Sequence, residues 1–256
     1  MRIKLLLTFF SFISINIALG QNGSGIEIIT DRPDQTESAR IVNFGRLQIE
    51  SGLIMEWLGG GTESERHLGV PQTLFRMGVS NYIELRGSIS ADGIFNRYGD
   101  GWKSKYGIGD AEIGAKIQLF KKEGSLTEVA FISHILMPSG SKGISSGEWG
   151  TINKLAVSHE LTNSLNIGYN IGYDWFSKSG GEFIYSAALG VVLSERLGAY
   201  AEIYGSVTNT KVLQINANSG LTYLVKENIQ LDISAGSGLN NKMVYISAGI
   251  SYNIPL

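Results

Sequence analysis

Cysteine is absent from the 256 residues, which excludes a disulfide framework, a thiolate metal site and a cysteine nucleophile. Charge is scarce: 17% of residues are Asp, Glu, Lys or Arg, against roughly 25% in an average soluble domain. Neither sign dominates, with 21 basic and 23 acidic residues, so there is no basic face for nucleic acid and no acidic tail. The three histidines, His67, His134 and His159, are scattered without metal-ligand spacing. No Gly-rich phosphate loop opens a helix, and no helix is evident for one to open. Past the N-terminus no stretch reaches 18 consecutive apolar residues, so no transmembrane helix is expected in the mature chain. Glycine is what the chain has in excess: 33 residues, about 13%, where about 7% is usual.

The first twenty residues read as an export signal. Arg2 and Lys4 precede an apolar run from Leu5 to Ala18, and Ala18-Leu19-Gly20 forms a small-x-small cleavage site. The run is shorter than the ~20 residues of a spanning helix, so residues 1–20 are expected to be removed and the mature chain to begin at Gln21. Without Arg2 and Lys4 the chain carries 19 basic against 23 acidic residues, a charge of −4.

The remainder alternates. Leu165, Ile167, Tyr169, Ile171, Tyr173 and Trp175 interleave with Asn166, Gly168, Asn170, Gly172 and Asp174. A period of two gives a strand one apolar and one polar face, whereas a helix would scatter these residues around its circumference. The same test predicts twelve strands, near 46–57, 70–79, 83–91, 111–120, 127–137, 151–161, 165–176, 183–193, 197–206, 212–224, 229–237 and 243–254. Short turns follow every second strand, at 80–82, 121–126, 162–164, 194–196 and 225–228. Longer loops are expected at 58–69, 91–110 and 138–150. Short turns at one end and long loops at the other are the asymmetry of an outer-membrane barrel, and an even strand count puts both termini on the short-turn, periplasmic side.

The position of the charges separates this reading from a secreted sandwich, which alternates with the same period. The apolar-facing positions carry no Asp, Glu, Lys or Arg; His159 is their one titratable residue. The opposite face carries thirteen charges, nine acidic (Glu50, Glu56, Glu84, Glu112, Glu128, Glu160, Asp174, Glu202, Asp232) and four basic (Arg76, Arg86, Lys116, Lys154), a net −5. A charge at a lipid-facing strand position costs about 2–4 kcal/mol at the bilayer midplane. Backbone groups within lipid must all be paired, which strands achieve only in a closed barrel. The fold class expected is therefore all-β, a single antiparallel up-and-down transmembrane barrel of about twelve strands over residues 46–256. Trp57, Tyr173, Trp175, Phe183 and Tyr185 near the loop ends, and Tyr223 and Tyr252 near the turn ends, read either as interfacial girdles or as ordinary strand aromatics.

Several short motifs carry a family resemblance over nearly the whole mature chain. They are Thr30 to Ser38 (TDRPDQTES), Thr73 to Gly78 (TLFRMG) with Ile83-Glu84-Leu85-Arg86, Gly109 to Lys116 (GDAEIGAK), Met137-Pro138-Ser139-Gly140, Ala201 to Gly205 (AEIYG), and Gln230 to Gly236 (QLDISAG) with Gly238-Leu239-Asn240. Together they resemble the bacterial outer-membrane family labelled "putative MetA-pathway of phenol degradation" or simply "transporter". The resemblance implies a barrel that passes small, often aromatic or apolar molecules, without identifying the solute.

Residues 21–45 precede the first strand and are too polar to lie in lipid. Asp31, Arg32, Pro33, Asp34, Gln35, Thr36, Glu37 and Ser38 read either as an internal plug entering from the periplasmic end or as a periplasmic leader; the resemblance favours the plug. A cluster of lumen charges is expected near the periplasmic rim from Glu50, Arg76, Glu84, Arg86, Glu202 and Asp232, with Glu112 and Lys116 further along the same inward face. Arg76 should reach Glu84 and lie nearly opposite Arg86 across the hairpin. Arg32 should meet the acidic wall, and Asp31 or Glu37 should meet Arg76 or Arg86. The loop 91–110, with Tyr98, Trp102, Tyr106, Arg97, Lys103 and Lys105, reads as a mouth cover or as a solvated surface loop.

Catalysis is not expected. A surface Ser/His pair fails because Ser133 and His134 are adjacent and point to opposite faces, as do Ser158 and His159. The expected function is an outer-membrane channel or transporter for small solutes, porin-like, weakly favouring cations. The alternative is a closed structural or surface-binding barrel whose lumen is filled by its own side chains. The partners expected are outer-membrane lipid, a solute of open identity, and the barrel-assembly machinery during biogenesis; no nucleic acid, cofactor or metal ion is expected.

Overall fold

The computed structural model describes residues 28–60, 63–98, 101–122, 124–208 and 212–256. The expected signal peptide, residues 1–20, lies outside the described residues. Every regular element among them is a strand: β1 (Arg46–Gly60), β2 (Glu63–Gly78), β3 (Ile83–Tyr98), β4 (Gly101–Ile108), β5 (Ala111–Phe120), β6 (Thr127–Met137), β7 (Gly150–Thr162), β8 (Leu165–Phe176), β9 (Gly180–Val192), β10 (Leu197–Thr208), β11 (Val212–Lys226), β12 (Ile229–Gly238) and β13 (Met243–Pro255).

Each strand pairs antiparallel with its neighbours, and β1 pairs with β13 from Arg46↔Pro255 to Leu58↔Met243, which closes the sheet. The thirteen strands form a twelve-membered ring plus β4. The ring leaves no edge, which lets every backbone group of the spanning band be paired inside lipid. β3 shows why β4 stands outside it. Residues 83–88 pair with β5, then the strand continues upward and from Ala91 to Tyr98 pairs with β4. Antiparallel order collects the turns at 79–82, 121–126, 163–164, 193–196 and 227–228 on one rim, with both described chain ends, and the remaining connections on the other.

In two segments expected as loops, 58–69 and 91–110, residues 58–60, 63–69, 91–98 and 101–108 are instead paired strand. β1 and β2 stay paired up to Gly60↔Glu63, past a register shift between Gly52 and Ile54, and β3 pairs with β4 from Ala91↔Ile108 to Tyr98↔Gly101. Beyond the lipid band both strand faces meet water, so alternation vanishes from the sequence while the ladder continues. His67, expected in a loop, is a β2 residue bonded to Asp92 at 3.0 Å. The loop aromatics pack within the hairpin: Phe95 and Tyr106 meet edge to face at 5.4 Å, and Arg66 lies 4.4 Å over the Trp102 ring.

Strand parity holds through the band. Ile171, Leu189 and Ile250 are 52, 41 and 47% exposed on the outer face, while Asn170 and Asn216 are buried inside. Ile215 is only half exposed. Tyr173, Trp175, Phe183 and Tyr223 are outward and exposed, whereas Trp57, Tyr185 and Tyr252 are half-buried. Tyr82, Phe44 and Phe120 add exposed aromatics on the short-turn rim.

Candidate functional site

Inverted to an ordinary soluble domain, the barrel's largest fully buried side chains are, apart from Ile132, polar: Arg76, Lys116, Gln48, Glu50, Glu84 and Ser251. The first five lie on β1, β2, β3 and β5, and the segment 28–45 packs against them inside the ring.

Arg76 uses all five guanidinium N–H groups. Its Nε and Nη2 donate to Glu84 at 2.9 and 3.0 Å, Nη1 to Glu50 at 2.7 Å and the Ile29 carbonyl at 2.9 Å, and Nη2 also to the Arg40 carbonyl at 3.2 Å. Directly across the ladder lies Arg86. Two guanidinium groups side by side repel unless anions bridge them. Glu84 and Asp31 do so: Arg86 Nη1 donates to Glu84 at 2.9 Å and to Asp31 at 2.7 Å. Asp31 also receives Lys116 at 2.8 Å and the Ser38 amide at 2.9 Å. Glu37 receives Arg86 at 2.6 Å and Lys154 at 2.7 Å. Four cations (Arg76, Arg86, Lys116, Lys154) thus meet four carboxylates (Asp31, Glu37, Glu50, Glu84), and the lattice is neutral. Neutrality and full pairing are what make so many charges tolerable away from water. Burial alone would raise the Asp31 carboxyl; Arg76, Lys116 and Arg86 outweigh it and hold the group well below the usual carboxylate range. Lys154 and Arg86 do the same for Glu37.

The segment's backbone is held by wall side chains. The amides of Asp31 and Arg32 donate to Glu50 at 3.0 Å, Gln35 to Glu202 at 2.9 Å, Glu37 to Asn170 at 2.7 Å and Val42 to Glu84 at 2.7 Å. Asn170 returns a bond to the Glu37 carbonyl at 2.9 Å. The Thr36 hydroxyl lies 2.6 Å from Glu202 and 2.8 Å from Ser186. Pro33 is buried between these anchors. Arg32 reaches the far wall, where its Nε and Nη2 meet Asp232 at 3.3 and 3.0 Å and Nη2 meets Ser247 at 2.9 Å. Two glycines paired across β1 and β13, Gly52 and Gly249, make the slot: a Cβ on Gly52 would lie 2.5 Å from Arg32 Nη2, and one on Gly249 would also collide with the guanidinium.

Not every expected residue joins the lattice. Glu112 stands one step away, accepting at 3.0 Å from His134 Nδ1, while His134 Nε2 accepts from Arg86 at 2.9 Å. The Arg86 donor fixes the tautomer, with the ring proton on Nδ1. Asp34 is half-buried, faces Glu202 and has no ion-pair contact among the described residues. Burial, then the neighbouring Glu202, push its carboxyl well above the usual range. Ser186, Ser247 and Gln48 were not singled out from the sequence, whereas inward parity placed Lys154 with the lumen charges and Asn170 on the lumen face. Arg40 was also missed; it bonds Glu128 at 3.1 Å and pairs with Glu160. Among the described residues no group of His, Asp and Glu is arranged to hold a metal ion.

The lattice fills one side of the lumen and leaves the other hollow. On the turn side of Thr36 lies a cavity of about 570 Å³, bordered by Asp34, Glu37, Ser158, Gly168, Ala188 and Tyr200. On the loop side two cavities of about 400 and 310 Å³ share Gln35, Tyr204, Gln214 and Asn216. Gln35, Thr36 and Glu37 stand between the two levels. The wall is open here because its inward positions are small: Gly168, Ser186, Ala188 and Gly190.

The family model described as "Putative MetA-pathway of phenol degradation" matches residues 30–254. No curated protein matches the chain significantly. Among solved structures, the "COG4313 outer membrane channel" of Pseudomonas putida F1 is similar at TM-score 0.64 and 10% identity, covering 92% of this chain and 100% of that one. The KdgM porin, solved with disordered oligogalacturonate, is similar at TM-score 0.57 and 13% identity, covering 80% of this chain and 98% of that one. The beta domain of the Bordetella autotransporter BrkA reaches 0.54 at 12% identity, covering 81% and 98%. At these identities the likeness is one of fold: a closed barrel of the outer-membrane kind.

Proposed function

The chain belongs to the family described as "Putative MetA-pathway of phenol degradation", and from that membership and its half-hollow lumen we propose an outer-membrane channel for small solutes. Passage follows the wall of β7 to β11, past the small inward side chains, while the ionic lattice against β1–β5 anchors residues 28–45 as a plug that narrows the waist. The observation that carries the reading is the pair of cavity levels on either side of Gln35–Glu37. The rim with the short turns and both chain ends is read as periplasmic, in a Gram-negative-type outer membrane. No catalytic role is assigned, since Ser133 and His134 occupy opposite faces of β6. Lipid contacts the outer band, and the barrel-assembly machinery is the partner that inserts it.

Planar-bilayer recording of the purified mature chain tests this. Wild type should conduct, and removal of residues 22–38 should raise unitary conductance. Ala188→Trp should lower it by filling the hollow side without touching the lattice. A barrel that conducts neither as wild type nor after the deletion would overturn the channel reading in favour of a closed, structural barrel. The density of buried ion pairs on the filled side is the feature that favours that second reading.

A further inference from the structure

At the waist the lumen wall carries four buried oxygens without aligned hydrogen-bond partners among the described residues: Tyr200 Oη, Asn218 Oδ1, Ser234 Oγ and Tyr245 Oη. They are neighbours. In register across β10 to β13 run two inward rows, Tyr200–Gly220–Ser234–Ser247 and Glu202–Asn218–Gly236–Tyr245. Both tyrosine rings lean over the glycine beside them. A Cβ on Gly220 would lie 2.5 Å from Tyr200 Cε1 and 3.0 Å from Ser234 Cβ; one on Gly236 would collide with Tyr245 and lie 2.8 Å from Asn218 Cβ. The two rings therefore converge on Ser234, whose hydroxyl lies close to both phenols, and Gln35 of the plug lies close to Tyr245; none of these contacts is an aligned hydrogen bond. Tyr245, Asn218 and Ser234 are 3, 6 and 6% exposed. Such orphaned groups are costly and need a partner.

The plug faces this niche with a carboxyl group, that of Asp34. Asp34 borders the turn-side cavity together with Tyr200, and Gln35 borders the loop-side cavity together with Tyr245. Arg32, the cation beside Asp34 in sequence, is engaged by Asp232 and Ser247. Glu202 accepts from the Gln35 amide and from Asn218. The niche thus combines a carboxylate, aromatic faces and oxygens able to accept hydrogen bonds. An anionic solute is repelled by Glu202. A cation bearing N–H groups satisfies the oxygens, holds the Asp34 carboxyl ionised beside it, and lies against two electron-rich rings.

We propose that Asp34, Tyr200, Asn218, Ser234 and Tyr245 form a subsite for a small cation with N–H donors, such as the head of a primary amine. Its role in passage rests on the channel reading above; its chemistry does not.

Methylammonium chloride titrated calorimetrically into the folded mature chain in detergent, at constant ionic strength and neutral pH, is the test. One saturable site is expected, weakened about tenfold or more in Asp34→Asn and in Tyr245→Phe. Tetramethylammonium, with the same charge and no N–H, should bind less tightly. Ser234→Ala serves if either variant loses the heat-modifiable gel mobility of a folded barrel. No saturable heat with wild type would overturn the proposal and leave the niche to ordered water. Wild-type affinity in the folded variants, or tetramethylammonium binding as well as methylammonium, would overturn it too. Binding without bilayer conductance would sink the channel reading and keep the subsite; conductance without binding does the reverse.

Discussion

Asp31→Asn removes one of the four carboxylates that balance four lumen cations, and leaves Lys116 with the Ser38 carbonyl at 2.9 Å as its remaining strong acceptor. Removing one partner of a buried ion pair costs about 3–5 kcal/mol. Asparagine keeps one acceptor oxygen for the Ser38 amide or a cation, which returns roughly 1 kcal/mol. The net loss, ~2–4 kcal/mol, falls on the seating of residues 28–45, because the strand ladders do not pass through Asp31. It corresponds to about a 30- to 800-fold larger population of unseated segment. Amide hydrogen exchange reads this directly. The Gln35, Glu37 and Val42 amides, which donate to Glu202, Asn170 and Glu84, should exchange faster by that factor while the β8 ladder is unchanged. Unchanged exchange at these three amides, or equal acceleration along β8, would refute the argument. Acid provides a companion measurement. The folded Asp31 value is depressed, so its contribution is fully present above the ordinary carboxylate value of about 3.9 and is lost as pH falls through the lower folded value. Wild type and variant should therefore converge only in strong acid.

Gly249→Ala puts a methyl group where the Arg32 guanidinium lies; the bonds to Asp232 should break, costing about 1.5–3 kcal/mol, seen as faster proteolysis within residues 28–45 of an otherwise folded barrel. Ile171→Arg, at the exposed middle of β8, should destabilise the barrel in vesicles by about 2–4 kcal/mol on urea unfolding, whereas Ser158→Lys, on the inner face, should not approach that loss. Asp34 responds to pH with the opposite sign to Asp31. Burial and Glu202, with Asp31 and Glu50 behind it, raise its value, so its carboxylate opposes folding once pH rises through that value, and milder acid than usual discharges it. Methylammonium affinity should accordingly fall on mild acidification in wild type and stay flat in Asp34→Asn; parallel profiles would show that Tyr200, Glu202 or another group carries the dependence.

The ring was legible because lipid imposes one rule on every spanning strand, and residues such as Ile171 and Asn170 obey it with a period of two. The rule stops at the headgroups. That is why the last three residues of β1, the upper halves of β2 and β3, and all of β4, were expected as loops: Glu65, Arg66 and His67 alternate nothing when both faces are wet. The Arg76–Arg86 juxtaposition could be read from a short turn, since register follows from turn length. Which far-wall residue meets Arg32 could not, because Asp232 is two hundred positions away and only ring closure brings it near. The glycines of the slot carry no local signal either; Gly52 and Gly249 acquire meaning only as a pair across the seam between β1 and β13.

The anchoring of residues 28–45 has a consequence for the order of assembly. This segment is made before any of the strands, yet the side chains that hold it come from β1, β2, β3, β5, β6, β7, β8, β9, β10, β12 and β13. Arg32 spans the seam, needing Asp232 and Ser247 on the last strands and room beside Gly52 on the first. An incomplete sheet offers it neither its anion nor its slot. Docking is therefore the last event in folding although it involves the earliest residues, and a protease directed at this segment during insertion reports whether the seam has closed.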